Sequence, residues 1–360
     1  MPDHGPASLG KVAPAACGAW RLAALRMGVP LLAATALILA AWTAAGSAKA
    51  GFLFGVVLPY GSLALFLGGI TWRVLYWARA PVPFAITTTC GQQVSLPWIR
   101  SSPLENPHTR WGVAGRVLLE MLAFRSLLRN VRHRWVADEG SPPRLVFRAS
   151  LGLWVGAIVF HYSLLLVLLH HARFFLDPVF GWIEGISRLD SFFRVGSAAF
   201  FLSGIALTAA ALYLLGRRVT DPWMRHLSLP SDYFPLYLLL GIALTGGMMH
   251  YSTRTDVPAV KAFCLGLAAL HPGTLAGVGP LFHVHLALAC VLLAYIPFSK
   301  LAHMAALPLS PTRNLPGAGR MIRHRNPWNR PVPVHTYGEY EDEYRDKMKA
   351  AGIPVERQAP

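Results

Sequence analysis

The stretch FHYSLLLVLLHHARFF, residues 160–175, decides the fold, because it reads as a membrane-spanning helix and yet contains three histidines. Leucine and valine suit a lipid environment, whereas His161, His170 and His171 do not. An ionisable side chain inside a membrane span is costly, and its presence indicates a functional site. The stretch therefore predicts a transmembrane helix whose histidines form a functional site.

The composition of the whole chain agrees with a membrane protein. Of its 360 residues, 54% are hydrophobic and 14% are charged, and the mean hydropathy is +0.42. Soluble domains carry about 25% charged residues. The net charge of +16 comes from arginines and lysines gathered in the connections, which is typical of the cytoplasmic loops of membrane proteins. We therefore expect a lipid bilayer around the chain and no nucleic-acid partner.

Long apolar runs predict six membrane spans and an all-α integral membrane helix bundle. The predicted spans are 27–45, 52–76, 151–171, 198–215, 233–249 and 281–302. The four cysteines contain no Cys-x-x-Cys pair, so we expect no iron–sulfur cluster or zinc site within the chain. The first span is followed by GSAKAG (46–51), a small-residue pattern found at signal-peptide cleavage sites. An uncleaved first helix is favoured, and cleavage, which would leave five spans, stays open.

Positive charges fall on alternate connections. The segment 79–148 contains ten arginines and four acidic residues, and the connection after the fourth span and the segment after Lys300 are also basic. The connections after the first, third and fifth spans hold few cations. This distribution predicts that both termini lie in the cytoplasm. Within the basic segment, residues 112–135 predict an amphipathic helix at the cytoplasmic surface.

A second histidine-rich region is FHVHLALACVLLAYIPFSKLAHM, residues 282–304, which carries His283, His285 and His303. Neutral imidazole is a good axial ligand of haem iron, and two imidazoles from facing helices can form an electron-transferring b-type centre. The two histidine-rich regions together therefore predict haem between helices.

Helical periodicity sorts these histidines by face. At about 100° per residue, His161 and His171 differ by roughly 80° and can share one broad face, whereas His170 points roughly 180° away from His161. In one continuous sixth helix, His285 and His303 would lie about five turns apart on the same face. His283 would not share that face.

The directions of the two helices then predict the pairs. The third span runs outward and the sixth runs inward, so His161 pairs with His303 near the cytoplasm and His171 pairs with His285 near the outer surface. Each pair would hold one haem b, giving two haems stacked across the bilayer. The separations are about 15 Å on the third span and about 27 Å on the sixth, so we expect tilt or a kink at Pro297 to absorb the difference.

The chain resembles a known family at these histidines. The ten-residue spacing after FH and the string HLALACVLLAYIPFSKLAH, residues 285–303, resemble the gamma, cytochrome b subunit of respiratory nitrate reductases, whose four axial histidines map onto the same four positions. A longer resemblance, over roughly residues 81–355, is to the membrane cytochrome b subunit of the dissimilatory sulfite reductase-associated complex. It rests on PVPFAITTTCGQQVSLPW (81–98), LSLPSDYFPLYLLLGI (227–242), LSPTRN (309–314), NPWN (326–329) and VHTYGEYEDEYRDKMKAAGIPVE (334–356).

This resemblance implies a respiratory electron-transport subunit, with substrate chemistry left to other subunits. The expected function is electron transfer between the quinone pool, menaquinone or another quinone, and a cytoplasmic iron–sulfur subunit related to heterodisulfide reductase, in sulfur metabolism. The resemblance also implies further membrane and periplasmic cytochrome subunits, and a place in the cytoplasmic (inner) membrane of a bacterium or archaeon. In the nitrate reductase relatives a basic residue after the second haem histidine assists quinol binding, and its nearest counterpart is Arg173. His250 is a second quinone candidate, and Asp177 and Glu184 are weaker ones.

Two alternative functions stay open. One is a nitrate reductase gamma subunit that oxidises quinol, and the other is a haem-free transporter with a histidine proton relay. Under the favoured interpretation the chain divides into five segments: an N-terminal tail and first helix (1–50), a second helix (51–78), a cytoplasmic loop with an amphipathic helix (79–148), a dihaem bundle (149–306) and a cytoplasmic tail (307–360).

Overall fold

A computed structural model describes residues 16–47, 49–80, 103–105, 107–128, 132–136, 144–195, 198–253, 255–273, 275, 278–310, 314–316 and 333–356. The strings at 81–98 and 326–329 lie outside these residues. The described helices are α1 (Ala16–Ala45), α2 (Ala50–Phe52), α3 (Leu58–Ala78), α4 (Arg110–Ala123), α5 (Arg125–Leu128), α6 (Leu151–Ala172), α7 (Gly181–Asp190), α8 (Leu202–Thr220), α9 (Pro222–Leu227), α10 (Pro230–Met248), α11 (Val257–Ala268), α12 (Pro280–Tyr295), α13 (His303–Ala306) and α14 (Tyr337–Ala350).

The prediction of an all-α membrane bundle with six spans is confirmed. Six helical segments are long and apolar enough to cross a membrane: Leu22–Ala45, Ala50–Ala78, Leu151–Phe175, Leu202–Thr220, Pro230–Thr253 and Pro280–Phe298. A π-helical turn, Leu53–Val57, joins α2 to α3 within the second of them. Two small antiparallel hairpins accompany the helices, β1 (Arg132–Val136) with β2 (Arg144–Arg148), and β3 (Arg194–Val195) with β4 (Ala198–Ala199).

Successive spans run in opposite directions. We call the end of the bundle at which α6 begins the His161 end, and the opposite end the His171 end. The start of α6 packs on the end of α8, where a Cβ added at Gly156 would lie 2.6 Å from the Tyr213 ring. The start of α12 meets the end of α10 through a contact between His285 and Thr245. At the His161 end, the Arg26 side chain of α1 donates to the carbonyl oxygen of His226.

The main apolar core lies toward the His171 end. Its buried side chains come from α1, α10, α11, α12 and the π-helical turn, and they include Ala41, Phe54, Leu238, Phe263 and Leu288. The first helix is therefore an integral part of the packed bundle, since it lies against both α10 and α12.

The sixth span is broken near Pro297, where the sequence predicted tilt or a kink within one helix. Helix α12 ends at Tyr295, and two 3₁₀ turns, Ile296–Phe298 and Lys300–Ala302, lead into α13. Pro297 has no backbone N–H and its ring clashes with the preceding turn, so the helix breaks there. The Lys300 ammonium lies 2.6 Å from the buried Asp232 carboxylate at the start of α10, which ties the redirected chain to the bundle.

The predicted amphipathic helix at 112–135 is also shorter than expected. Helix α4 ends at Ala123, because Phe124 takes a left-handed backbone conformation with φ 48°, and residues 132–136 form a strand. The end of this helix packs against the third span. The Tyr162 hydroxyl of α6 donates to the Leu122 carbonyl oxygen (2.8 Å), and Tyr162 lies about 16 Å along α6 from Leu151.

Candidate functional site

The first histidine pair lies at the His161 end. The ring centres of His161 and His303 are 6.1 Å apart, with an angle of 83° between the ring planes. His161 is carried by α6, and His303 is the first residue of α13, after the 3₁₀ turns that follow Pro297. The redirected chain thus brings His303 opposite His161, although the straight-helix argument that predicted the pair was wrong about the path between His285 and His303.

The second pair lies nearer the His171 end. The ring centres of His171 and His285 are 6.2 Å apart, with an interplanar angle of 12°. His171 lies in the last turn of α6 and His285 in the second turn of α12. A glycine on α10 makes room for this ring, because a Cβ added at Gly246 would lie 3.2 Å from the His285 ring. The four histidines selected from the sequence are therefore grouped in the two predicted pairs.

All four rings are oriented by a hydrogen bond at Nδ1. The acceptors for His161 and His171 are the carbonyl oxygens of Ala157 (2.8 Å) and Val167 (2.7 Å), each one helical turn earlier. For His303 the acceptor is the carbonyl oxygen of Lys300, at 3.0 Å.

The partner of the fourth ring, that of His285, is a side chain and not a main-chain carbonyl group. Nδ1 of His285 lies 3.0 Å from the Thr245 hydroxyl oxygen, whose own proton is directed at the Gly241 carbonyl oxygen at 2.7 Å. A histidine whose Nδ1 carries the donated proton presents the lone pair of Nε2 to a metal. The four rings are thus all set in the tautomer that a metal requires.

The two remaining histidines of these helices differ. His170 and His283 are only 8% and 5% exposed, whereas the four paired rings keep accessible surface. His170 packs against Phe201 and lies 3.5 Å from the buried Asp190 carboxylate, which also accepts hydrogen bonds from Ser203. His283 bonds the Gly279 carbonyl oxygen and packs edge-on against Phe54. The contacts of these two rings are those of packed histidines.

The geometry of the pairs fits two ligands on opposite sides of one metal ion. Imidazole nitrogen lies about 2 Å from a bound metal and roughly 1 Å from its own ring centre, so such ligands have ring centres about 6 Å apart. Both pairs meet this distance. In the described part of the chain, no three His, Cys, Asp or Glu side chains come together as a small metal ion would need. Two nitrogens per site suit haem, whose porphyrin supplies the other ligands.

Aromatic and amide groups surround the pair at the His161 end. The Phe124 ring lies 4.9 Å from that of His161. The two last carbonyl groups of α4, which no helical N–H can satisfy, accept from Tyr162 and from the Trp154 indole (2.7 Å, to Ala123). The α4–α5 turn therefore reaches the histidine with its backbone polar groups paired, as a low-dielectric environment demands.

The residues predicted to bind quinone lie at the His171 end but apart from one another. Arg173 stacks on Phe174 (5.0 Å) and lines a cavity of about 330 Å³ with Ile183, Ser187 and Arg188. His250, in a π-helical turn after α10, bonds the Ala199 carbonyl oxygen at 3.1 Å and does not line this cavity.

The two acidic candidates are engaged in ion pairs. Asp177 lies 3.1 Å from the Lys261 ammonium, and Glu184, which lines the cavity beside Arg173, is paired with Arg188 at 3.7 Å.

Sequence reasoning missed several residues of the site. Thr245 carries a weak signal, a hydroxyl within an apolar span. No sequence signal marks Phe124, since a phenylalanine in an amphipathic stretch is ordinarily a packing residue. Asp190 and Ser203, the partners that surround His170, lie in segments that the sequence assigned to loops or helix ends.

The fold and the site define a class: a multi-pass membrane protein with two pairs of facing histidines between its helices. Comparison with known proteins then gives the family. The nitrate reductase gamma subunit family matches residues 111–314, more than half of the chain. The chain belongs to this family.

Individual relatives extend this result. The chain is 43% identical over 286 residues to the Hdr-like menaquinol oxidoreductase cytochrome b-like subunit of Archaeoglobus fulgidus, covering 78% of this chain and 84% of the relative. The protein of the same name in Archaeoglobus profundus is 36% identical over 279 residues, or 76% and 81% of the two chains. The nitrate reductase gamma chain of Bacillus subtilis is 31% identical over 211 residues, or 55% and 91%.

Proposed function

We propose that this chain is a dihaem cytochrome b that passes electrons between quinone and a partner subunit across the membrane. The observation that carries the proposal is the arrangement of the two histidine pairs, with ring centres 6.1 and 6.2 Å apart and every Nδ1 already hydrogen-bonded. His161 and His303 would hold one haem b, and His171 and His285 the other. The bound haems supply one-electron redox chemistry.

The protein's own residues orient and enclose these cofactors. The carbonyl acceptors and Thr245 hold the rings, and the side chains of Phe124 and Phe174 border the two sites. The shared helix α6 places His161 and His171 about 15 Å apart along its axis. The two sites therefore form a path from one end of the bundle toward the other.

Quinone is proposed to bind at the His171 end. The Arg173 guanidinium follows His171 by two residues and faces the cavity with Ser187, so it can donate hydrogen bonds to a quinone oxygen close to one haem. His250 is a second candidate on the other side of Phe201, whose ring contacts both His170 and His250. The names of the Archaeoglobus relatives, which specify menaquinol, favour menaquinone as the carrier.

The proposed partner is a cytoplasmic iron–sulfur subunit of the heterodisulfide reductase type, in dissimilatory sulfur metabolism. The support is the term Hdr-like in the names of two relatives that match more than three quarters of this chain. The nitrate reductase gamma chain matches a smaller share, 55%, so this alternative is less favoured. Further cytochrome subunits of such a complex, and a cytoplasmic position of the C-terminus, belong to the same proposal.

A haem assay on the purified chain tests the cofactor assignment. We expect two haem b per chain by pyridine haemochrome spectroscopy, and two midpoint potentials in an optical redox titration. His161→Ala and His303→Ala should each remove the same haem, while His171→Ala and His285→Ala should each remove the other, because each iron loses one of its two protein ligands. One haem or none in the folded wild-type chain would contradict the proposal.

Matched controls come from the two packed histidines. His170→Ala and His283→Ala remove a histidine from the same helices, and both variants should retain two haems. A haem-free transporter with a histidine relay predicts the opposite pattern, with no haem in any variant. Reduction of the haems by a soluble menaquinol analogue, and its loss in Arg173→Gln with both haems still present, tests the quinone assignment.

A further inference from the structure

A cavity of about 620 Å³ lies at the His161 end, between the start of α6 and the end of α8. Ser150 and Gly152 line it from α6, and Tyr213, Gly216 and Arg217 line it from α8. Its position is distinct from the histidine pairs and from the cavity beside Arg173. A Cβ added at Gly152 would lie 2.8 Å from the Tyr213 hydroxyl, so this glycine is needed for the close approach of that hydroxyl.

The start of α6 offers backbone donors to this cavity. The first intrahelical bond runs from Trp154 N–H to the Ser150 carbonyl oxygen, which leaves the N–H groups of Leu151, Gly152 and Leu153 without a helical acceptor. The Ser150 side chain does not cap them. Together with the helix dipole, uncapped N–H groups of this kind favour an anion.

The side chains around these N–H groups strengthen the preference for an anion. Ser150 is 6% exposed, and within the described residues its hydroxyl has no hydrogen-bond partner. Because Ser150 also lines the cavity, this hydroxyl is available to a ligand there. The Arg217 guanidinium also has no ion pair among the described residues, whereas the neighbouring Arg218 bonds Ser228 and lies 3.9 Å from Asp232.

The carboxylate that borders the cavity does not cancel this charge. Asp221 lines the same cavity, but its side chain accepts hydrogen bonds from the N–H groups of Trp223 and Met224 as the N-cap of α9. The groups left to meet a ligand are therefore mainly donors: the Ser150 hydroxyl, the backbone amides of Leu151 and Gly152, and the Arg217 guanidinium.

The geometry points to a binding site for the phosphate of an anionic phospholipid headgroup. The cavity lies where two membrane-spanning helices meet the water interface, and large apolar side chains beside it are exposed on the same helices: Leu151 (63%), Val155 (49%) and Leu212 (54%). These side chains offer a surface for acyl chains directly below the donors. Basic pockets between transmembrane helices are typical sites for anionic lipids.

Native mass spectrometry of the full-length chain in detergent can test this site. With phosphatidylglycerol added, we expect one lipid to remain bound at collision energies that remove phosphatidylcholine. Arg217→Gln should weaken phosphatidylglycerol retention by about tenfold, because a charge-assisted contact to phosphate is lost, and Ser150→Ala should weaken it to a lesser degree. Arg188→Gln, which removes an exposed arginine at the His171 end, is the charge-matched control and should retain the lipid.

Several outcomes would overturn the inference. Equal retention of the two lipids would show that the site has no preference for anionic headgroups, and unchanged retention in Arg217→Gln would place the lipid elsewhere. Displacement of phosphatidylglycerol by millimolar inorganic phosphate alone would identify a free anion as the ligand. If Arg217→Gln fails to fold, the retention of phosphatidylglycerol relative to phosphatidylcholine by the wild-type chain still tests the preference for an anionic headgroup. Haem content measured in the same samples separates this result from that of the proposed function.

Discussion

At the residue scale, each proposed haem ligand depends on one neighbouring acceptor. Three of the four acceptors are main-chain carbonyl groups, so no substitution of a side chain can remove them. Thr245 is the exception, and it links His285 to α10. The sequence identified the four histidines because imidazoles in apolar helices are conspicuous, but it contained no sign of which oxygen would orient each ring.

Phe124 offers a test of the contact with His161. Its left-handed conformation costs roughly 1–2 kcal/mol in any residue with a Cβ, and glycine avoids this cost. Phe124→Gly and Phe124→Ala both remove the ring from His161, but only the alanine variant keeps the backbone penalty. We expect both variants to shift the potential of the His161–His303 haem alone, and the amides of residues 122–128 to exchange hydrogen more slowly in the glycine variant.

The comparison of these two variants separates the effect of losing the Phe124 ring from the effect of the left-handed backbone conformation. Equal exchange in the two variants would show that the left-handed conformation is relieved in solution. A shift in the other haem instead would show that Phe124 does not act at His161.

At the element scale, the break after α12 is the feature that periodicity predicted least well. The sequence indicated a helix through His303, with Pro297 as a kink, and the predicted pair was nevertheless brought together. The reason lies in contacts distant in sequence: Lys300 reaches Asp232 on α10, and Arg73 of α3 donates to the Pro297 carbonyl oxygen at 3.2 Å. Local pattern cannot reveal such partners, because they depend on how the helices pack.

The contact between α3 and this break can be tested with two adjacent glycines. A Cβ at Gly69 would lie 2.7 Å from the Pro297 side chain, whereas a Cβ at Gly68 would meet nothing within 4 Å. Gly69→Ala should therefore destabilise the protein by about 1–3 kcal/mol through overpacking and should weaken binding of the haem proposed at His303. Gly68→Ala, in the same helix, should be neutral or slightly stabilising. Thermal unfolding followed by haem absorbance in one detergent measures both, and equal effects would contradict the packing argument.

Helix α14 provides a prediction about pH outside the membrane. Glu339 accepts a hydrogen bond from Thr336 N–H at 2.7 Å, and the Thr336 hydroxyl accepts one from Glu339 N–H. The bonds from Thr336 hold the pKa of the Glu339 carboxyl below its usual value. A carboxyl with a lowered pKa in the folded state stabilises that state above its unfolded pKa, and this contribution is lost as the pH falls through the folded pKa.

We therefore expect the start of α14 to fray as the pH is lowered past the ordinary range of glutamate, about 4. Hydrogen exchange of residues 337–341, corrected for the intrinsic effect of pH, should become several-fold faster relative to residues 345–350. In Glu339→Gln that relative change should be much smaller, because the titrating carboxyl is absent while the amide oxygen can still accept from Thr336 N–H. An unchanged pH response in this variant would show that another group controls the helix end.

At the scale of the whole molecule, the number of spans and their alternation followed from composition and length. Six long apolar helices arranged in alternating directions place the start of α1 and the segment after α12 at the same, His161 end of the bundle. What the sequence could not supply was the packing of the connections, since the end of α4 contacts Tyr162 in the middle of the third span. A hydrophobic profile treats such a segment as a loop because its arginines lower the mean hydropathy.

The side of the membrane on which the His161 end lies is the last prediction. The arginine-rich connections between 79 and 148 and between 217 and 225 belong to this end, so the charge distribution places it in the cytoplasm. With the four native cysteines replaced, a cysteine at Ser191 should react in intact spheroplasts with a membrane-impermeant maleimide, because Ser191 follows α7 at the His171 end. A cysteine at Arg225, after α8, should react only once the membrane is permeabilised. The reverse labelling would show that the bundle has the opposite orientation. The Arg173 cavity would then lie on the cytoplasmic side, and a cytoplasmic iron–sulfur partner would face the His171 end, against the proposal.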